Sequence, residues 1–334
     1  MRKIGNQKRA NLRDVAKAAG VSVATVSRVL NSPDSVAPET RAKVQSTISE
    51  LRFMPSAAAR AINSGRTRFV GALVPTLDNA IFASFLSALE NKLNDYGLAL
   101  IVSTIGENPQ LEVQKAQSLI NLGAEALILS GAAHDPKLFQ LTNQTRFPTL
   151  ATSFYDDSAP LPTIGYDNHD AAQLGVQYLK SAGHRHIAVA HGPVETNDRT
   201  QARINGVQSV SGMTIDYHEA DISFEGAQVI ARNILAQKDR PTAVACMSDV
   251  LAIGLLQQFQ RSHLRVPEDI SVLGMDDLPF AAHTFPALST IHLPVKRMGT
   301  AAGRAIGEWL EHGNEPAPER LEPQLILRES VAEI

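Results

Sequence analysis

Residues 12–31 read LRDVAKAAGVSVATVSRVLN, and this stretch decides how the amino-terminal part of the chain folds. Leu12, Val15, Ala16 and Ala19 recur at helical spacing, which predicts a first helix with one apolar face. Gly20 supplies a turn, and Ser22 is placed to cap a second helix running from Val23 to about Asn31. Val21, Val26 and Val29 or Leu30 would then face the first helix. Val23, Ala24, Thr25, Ser27 and Arg28 are left on the outer side. A small, polar face of this kind can enter a major groove, which is the layout of a DNA-reading helix-turn-helix. The same pattern alone also fits an ordinary helical hairpin.

Charge separates these two readings. Residues 1–68 hold 13 Lys or Arg against four Asp or Glu, a balance of +9, and the rest of the chain holds 18 basic and 30 acidic residues, a balance of −12. The net charge of −3 therefore conceals a basic head on an acidic body, as expected when a polyanion-binding module is joined to something else. The first ten residues, MRKIGNQKRA, lack the apolar segment of a signal peptide or anchor. They are expected to be a disordered basic tail that adds non-specific phosphate attraction.

Length and composition bound the remainder. The chain has 334 residues, 44% of them hydrophobic and 19% charged, which is ordinary for a soluble protein of two or three domains. The single cysteine, Cys246, excludes an intramolecular disulfide and fits a reducing cytoplasm. No apolar run approaches the roughly 20 residues needed to span a bilayer. A cytoplasmic protein with no membrane partner is the expectation.

After the second helix NSPDSV reads as a loop, and Pro38 opens a third helix, PETRAKVQSTISELRF, with Val44, Ile48 and Leu51 on one face. PSAAARAINSGRTR follows, rich in small residues, with Arg60 and the single large apolar side chain Ile62. It reads either as a plain linker or as a short helix that folds on DNA and wedges Ile62 between base steps.

From Phe69 the pattern becomes strands alternating with helices: RFVGALVP, FASFLSALENKLNDYG, LALIVSTIG, QLEVQKAQSLINLG, ALILSG and FPTLAT. A second series begins near Pro162 with PTIGYDN and runs through HIAVAHG, TIDYHEA and AVACMS to ISVLGMD. Such alternation is the signature of doubly wound parallel sheets, here two, each of about five units. Ligands of these sheets sit beyond the carboxyl ends of strands, so a cleft between two lobes is the natural pocket.

These segments together resemble the LacI/GalR family of bacterial transcription regulators. The resemblance runs from about Asn11 to the end of the chain and is carried by LRDVAKAAGVSVATVSRVLN, VAPETRAKV, PSAAARAI, GALVP, LGAEALIL, GHRHIAVAHGP, ARINGV, PTAVACMSDVLAIGLL, VPEDISVLGMDD and LSTI. It implies a small all-α helix-turn-helix head, a hinge helix and an α/β two-lobed core similar to periplasmic binding proteins. The implied divisions are a tail at 1–10, the DNA-binding domain at 11–54, the hinge at 55–68 and the effector-binding and dimerisation core at 69–334. Within the core one lobe takes about 69–165 and 294–321, and the other about 166–293 and 322–334. The implied function is that of a repressor, binding a near-palindromic operator as a homodimer under the control of a small molecule.

Residue by residue, the resemblance puts Val23, Ala24 and Arg28 opposite bases and Ser22, Thr25 and Ser27 toward the backbone, with Asn31 at the end of the same helix. Arg28 can fork onto a guanine, and Ala24 or Val23 can meet a thymine methyl. In the hinge, Ile62 stands where the wedge is usually leucine, and Arg52 and Phe53 replace a more usual Gly-Tyr. In the cleft, Arg203 and Asp276 fit the family's effector ligands. Ser248 stands where asparagine is common and Ser153 where aspartate is common; Phe82, Ser130, Tyr166 and Phe224 are the other implied wall residues. A sugar, sugar phosphate or sugar acid is the first effector class implied, and a purine or nucleoside the second.

Other constellations read blandly. His184 and His186 lack further ligands at metal-binding spacing. Asp276 and Asp277 are adjacent at a strand end, where side chains usually point apart, which disfavours a catalytic pair. Cys246 lies within an apolar strand and reads as buried. There is no GxxxxGK[ST] loop and no GxGxxG after a strand. No catalytic residue, metal or cofactor is expected, and the rival reading, a two-lobed enzyme or transport-binding protein without a regulatory role, lacks its acid–base pair or its export signal.

Overall fold

A computed structural model of the chain describes residues 10–53, 65–106, 109–195 and 197–334, and the chain divides into two compact units, Met1–Thr67 and Arg68–Ile334. Arg60 and Ile62, together with most of the basic tail, lie outside the described residues. No helix among the described residues is long and apolar enough to cross a membrane.

Among its described residues the first unit contains three α-helices: α1 (Leu12–Ala19), α2 (Val23–Asn31) and α3 (Pro38–Glu50). The Asn11 side chain accepts the N–H of Arg13 at 2.9 Å and of Asp14 at 3.2 Å, while the Asp14 carboxylate accepts the Asn11 N–H at 2.9 Å. This capping box satisfies donors that the first turn would otherwise waste, an effect worth about 1 kcal/mol. Gly20 takes a φ of 64°, which lets its N–H close the end of α1 on the Ala16 and Lys17 carbonyls. Ser22 caps α2 by accepting the Thr25 N–H at 3.0 Å.

Val15, Ala16, Ala19, Val26, Val29, Val44 and Phe53 form the buried core of this unit, with Val21, Leu30 and Ile48 packed at its edge. Leu51 departs from the predicted face. The helix ends at Glu50, Arg52 turns the chain with a φ of 46°, and the Phe53 N–H bonds to the Ile48 carbonyl. That reversal carries Phe53 inward and leaves Leu51 37% exposed. Arg52 thus holds a left-handed conformation, which glycine adopts at less cost.

The second unit carries two six-stranded sheets. In chain order its elements are β1 (Phe69–Val74), α4 (Ala80–Asp95), β2 (Ala99–Thr104), α5 (Pro109–Asn121), β3 (Ala124–Ser130), α6 (Pro136–Thr145), β4 (Thr149–Thr152) and β5 (Thr163–Gly165). Next come α7 (Asn168–Ser181), β6 (His186–His191), α8 (Asp198–Gln208), β7 (Thr214–Glu219), α9 (Phe224–Ala236), β8 (Ala243–Cys246), α10 (Asp249–Arg261), β9 (Ser271–Asp276) and β10 (Ser289–His292). The chain ends through α11 (Val295–His312), β11 (Glu319–Arg320) and β12 (Gln324–Ile326). The first sheet has the order β11-β5-β4-β3-β1-β2 and the second β12-β10-β9-β8-β6-β7.

The pairings are parallel except that of β12 with β10. Central strands such as β8 and β9 are buried throughout, as parallel strands covered on both faces must be. β5, which the strand–helix alternation reads as the start of the second series although the implied lobe bounds place it in the first, pairs with β4. The chain leaves that lobe only at Tyr166, where Asp167 caps α7 through the N–H groups of His169 and Asp170. It crosses back before α11 and again between β11 and β12, so three crossovers join the lobes. The last connection is only a few residues long and returns the chain antiparallel at the edge of the second sheet. α11 lies close against α4 because Gly299, Gly303 and Gly307 leave no side chain between the helices, where a Cβ would overlap Phe85, Lys92 and Tyr96 respectively.

Candidate functional site

In the first unit, α2 presents Ser22, Val23, Ala24 and Arg28 to solvent, while Val26 and Val29 are buried. Thr25 and Ser27 are half-buried at the margin of that face. The Ser22 hydroxyl is occupied by the cap and by a 2.9 Å hydrogen bond with the Thr25 hydroxyl. Their first service is therefore to hold the start of α2, which fixes the angle at which Val23 and Ala24 project. The Arg28 guanidinium has no hydrogen-bond partner among the described residues, leaving its planar donor fork for a partner molecule. Asn31 ends α2, and nothing further is described for its side chain.

In the second unit a cavity of about 670 Å³ lies between the lobes. All eight residues assigned to it from sequence line it: Phe82, Ser130, Ser153, Tyr166, Arg203, Phe224, Ser248 and Asp276. They come from both lobes, at strand ends or near the starts of helices, with Arg203 reaching in from the second turn of α8. The geometry of the polar members is continuous. The Ser130 hydroxyl donates to Ser153 Oγ at 3.2 Å, Asn168 donates to the Ser153 carbonyl at 2.9 Å, and Arg203 Nε donates to Asn168 Oδ1 at 3.0 Å. Arg203 Nη1 donates to the Met247 carbonyl at 2.6 Å. Ser153 adopts a φ of 70° at the turn out of β4.

Across the cavity the Ser248 hydroxyl donates to Asp276 Oδ2 at 3.0 Å, and the Asp249 N–H reaches the same oxygen at 3.3 Å. Burial pushes the Asp276 carboxyl up to about 6, against the pull of Arg203, Ser248 and the Asp249 N–H. Asp249 lies behind it, accepting the Thr290 hydroxyl at 2.6 Å and the Leu278 N–H at 2.7 Å. Burial and then the Asp276 charge push Asp249 up to about 7. Burial likewise raises the Tyr166 phenol, and Arg203 opposes it. The wall thus offers a fixed cation, a carboxyl, three serine hydroxyls, a phenol and aromatic surface, which suits a small polar ligand with several hydrogen-bonding groups.

Asp277 turns away from this cavity, pairing with Arg328 at 2.7 Å and His292 at 3.0 Å. The adjacent carboxylates therefore point apart. His184 is buried between the Thr242 hydroxyl and the Ala332 carbonyl, and His186 pairs with Asp216 at 2.8 Å. Cys246 is buried, which raises its thiol well above the ordinary value, with the Asp249 charge adding to the effect.

Several lining residues escaped the sequence reading, among them Glu112, Asn197, Asp198, Arg199 and Met298. The only signal for 197–199 was position: Asn197 caps, and Asp198 and Arg199 open, a helix that starts beyond the carboxyl end of β6, where ligand-facing groups collect. Glu112 meets His134 at 2.7 Å across 22 residues of sequence, a pairing that no periodicity encodes.

Comparison with known proteins agrees with this arrangement. Residues 11–56 match the family model described as bacterial regulatory proteins, lacI family, and residues 176–331 match that of a periplasmic binding protein-like domain. The chain is 32% identical to the HTH-type transcriptional repressor PurR of Escherichia fergusonii and 33% identical to that of Edwardsiella ictaluri, in each case over 97% of both chains. Its fold is similar to that of the lac repressor dimer bound to operator and the anti-inducer ONPF, with a TM-score of 0.88 and 26% identity over 97% of this chain and 100% of that one. A CelR–cellobiose complex is also similar, with a TM-score of 0.69 and 26% identity over 96% of this chain and 100% of that one.

Proposed function

The chain belongs to the lacI family of bacterial regulatory proteins, and on that premise we propose that it represses transcription as a homodimer whose operator affinity is set by a small molecule in the interlobe cleft. The observation that carries the cleft assignment is the convergence of eight residues, scattered between positions 82 and 276, on one cavity of about 670 Å³. The ligand favoured is a sugar or a sugar acid or phosphate. Arg203, Asp276 and the hydroxyls of Ser130, Ser153 and Ser248 match alternating donors and acceptors on a polyhydroxylated ring. A purine or nucleoside is the second reading, supported by Phe82 and Phe224, which both line the cavity and offer faces to a planar base.

At the DNA end, α2 enters the major groove with Val23 and Ala24 on thymine methyls and Arg28 forked onto a guanine. Asn31, Arg60 and Ile62 complete this contact, Ile62 as a minor-groove wedge. The dimer is supported by Phe280 and Phe285, 68% and 88% exposed on the second lobe, where pairing with a second copy would remove them from water. A repressor of this kind works in the cytoplasm and needs no catalytic chemistry. For the ligand to control the protein it must favour one lobe arrangement, and operator must shift ligand affinity reciprocally.

The test is a thermal-shift screen of sugars, sugar acids, sugar phosphates and nucleosides, followed by binding to DNA selected from a random pool, with and without each hit. A hit that alters affinity for the selected site and fails on Arg203→Lys supports the reading. A chain that selects no DNA sequence, or hits that leave DNA binding unchanged, would overturn it.

A further inference from the structure

We propose that Asp198 and the loop after β3 form an intrachain clasp that ties the two lobes together across the cleft and sets how readily it opens. Asp198 is the first residue of α8 and belongs to the second lobe. Its Oδ2 accepts the backbone N–H groups of Ala132 and, at 3.1 Å, of Ala133, which follow β3 of the first lobe. Its Oδ1 accepts the Arg199 N–H at 2.9 Å and pairs with Arg199 Nη1 at 3.2 Å. One carboxylate thus closes a ring of donors drawn from both lobes.

Both sides are built for the contact. Gly131 has a φ of 98°, and a Cβ there would overlap the Arg199 guanidinium and the Asp198 carboxylate, so the close approach depends on glycine. Beneath the loop, His134 is held by Glu112 at 2.7 Å and by the Gly131 carbonyl at 2.8 Å, and Glu112 also accepts the Asp135 N–H at 3.4 Å. The two amides are therefore presented on a braced turn. Burial works to raise the Asp198 carboxyl, yet Arg199 and the amides of Ala132, Ala133 and Arg199 more than offset it and hold it below its ordinary value. A half-buried carboxylate that stays ionised in this way favours the geometry that supplies its donors.

Position gives the contact its consequence. Asn168 to Ser153 and Arg320 to Asp170 also join the lobes, but each includes a residue beside a crossover strand, near which opening causes little displacement. Asp198 and Ala132 are 66 residues apart, and each lies well away from the crossovers in sequence. Opening the cleft must break their hydrogen bonds, whereas bending near the crossovers need not. Asp198 and Arg199 also line the cavity, so a bound molecule meets the clasp directly.

The test uses the full chain without added ligand. Spin labels at Leu122→Cys and Val229→Cys, exposed on the first and second lobes, report the interlobe distance by pulsed electron spin resonance, with unlabelled protein in excess so that distances within one chain are read. Cys246 is buried and does not compete for label. Loss of the charge-assisted bonds in Asp198→Ala should lower the ratio of closed to open lobes by about tenfold to a hundredfold, and Asp198→Asn by less. Gly131→Ala attacks the same contact from the other lobe and should shift the distribution in the same direction, which keeps the proposal testable if an Asp198 variant folds poorly. Distance distributions that superimpose for the unsubstituted chain and a folded variant from either side would overturn the clasp. Because no ligand enters the measurement, its outcome is independent of what the cleft binds.

Discussion

Replacing Asp249 with Asn should remove the contribution to stability that this carboxyl loses as pH rises from about 4 to about 7. Asp249 is buried with its carboxyl raised from 3.8 to about 7, chiefly by burial and next by Asp276, itself raised to about 6. A carboxyl with a folded-state value above its unfolded one binds its proton more tightly in the folded protein. Its stabilising contribution is complete below the unfolded value and is lost as pH climbs through the folded one. A shift from 3.8 to about 7 corresponds to about 4 kcal/mol for a lone group at about 1.4 kcal/mol per pH unit. Asp249 and Asp276 share their electrostatic penalty, so Asp249→Asn should recover on the order of 3 kcal/mol of this loss. The amide keeps an acceptor for the Leu278 N–H and can donate to the Thr290 hydroxyl, which preserves both contacts now made at 2.7 and 2.6 Å. Urea titrations followed by circular dichroism at intervals from pH 4 to 8 measure the difference between the two proteins, in which groups common to both cancel. The difference should grow in favour of the variant up to about pH 7 and then level off. Parallel curves would refute the reasoning, because they would mean that Asp249 ionises in the folded protein as freely as in the unfolded chain.

Three further outcomes are expected. Arg28→Ala should weaken binding to a selected operator by about 1–3 kcal/mol per head and binding to random DNA by less, measured by fluorescence anisotropy at fixed salt; equal losses would remove Arg28 from base reading. Arg203→Ala should destabilise the protein by about 2–5 kcal/mol as well as abolish the ligand response, because it strips the donors from Asn168 and Met247 and the opposite charge from Asp276; a stability change below about 0.5 kcal/mol would leave it a purely ligand-facing role. Phe285→Asp should turn the proposed dimer into a monomer in sedimentation experiments at low micromolar concentration, and an unchanged sedimentation coefficient would remove Phe285 from any interface.

Much of the fold was legible because it rests on local periodicity. The 3.6-residue spacing of Leu12, Val15, Ala16 and Ala19 and the Ser22 cap specify α1 and α2 without reference to the rest of the chain. Short apolar runs such as ALILS and AVAC, bounded by turns, similarly announced buried strands. Two assignments failed for reasons local pattern cannot carry. Leu51 had the right spacing, but the left-handed turn at Arg52 gave its place to Phe53. β5 followed a long connection that looked like the start of a new series, yet its hydrogen bonds go to β4. β12 was not read from sequence at all, and its antiparallel pairing with β10 is set by the edge of the second sheet that the returning chain reaches.

The cleft divides in the same way. Arg203, Asp276 and their companions could be named from the motifs that contain them, whereas nothing in the sequence joins Asp198 to Ala132, or Glu112 to His134. By itself the sequence determined a helix-turn-helix ahead of two strand–helix series, the charge asymmetry between them, and the residue types available to a ligand, since composition and short-range spacing encode all of these. Only the tertiary structure decided which carboxylates are buried together, which amides converge on Asp198 and which glycines must stay bare, because burial and hydrogen-bond geometry arise where segments distant in the chain meet.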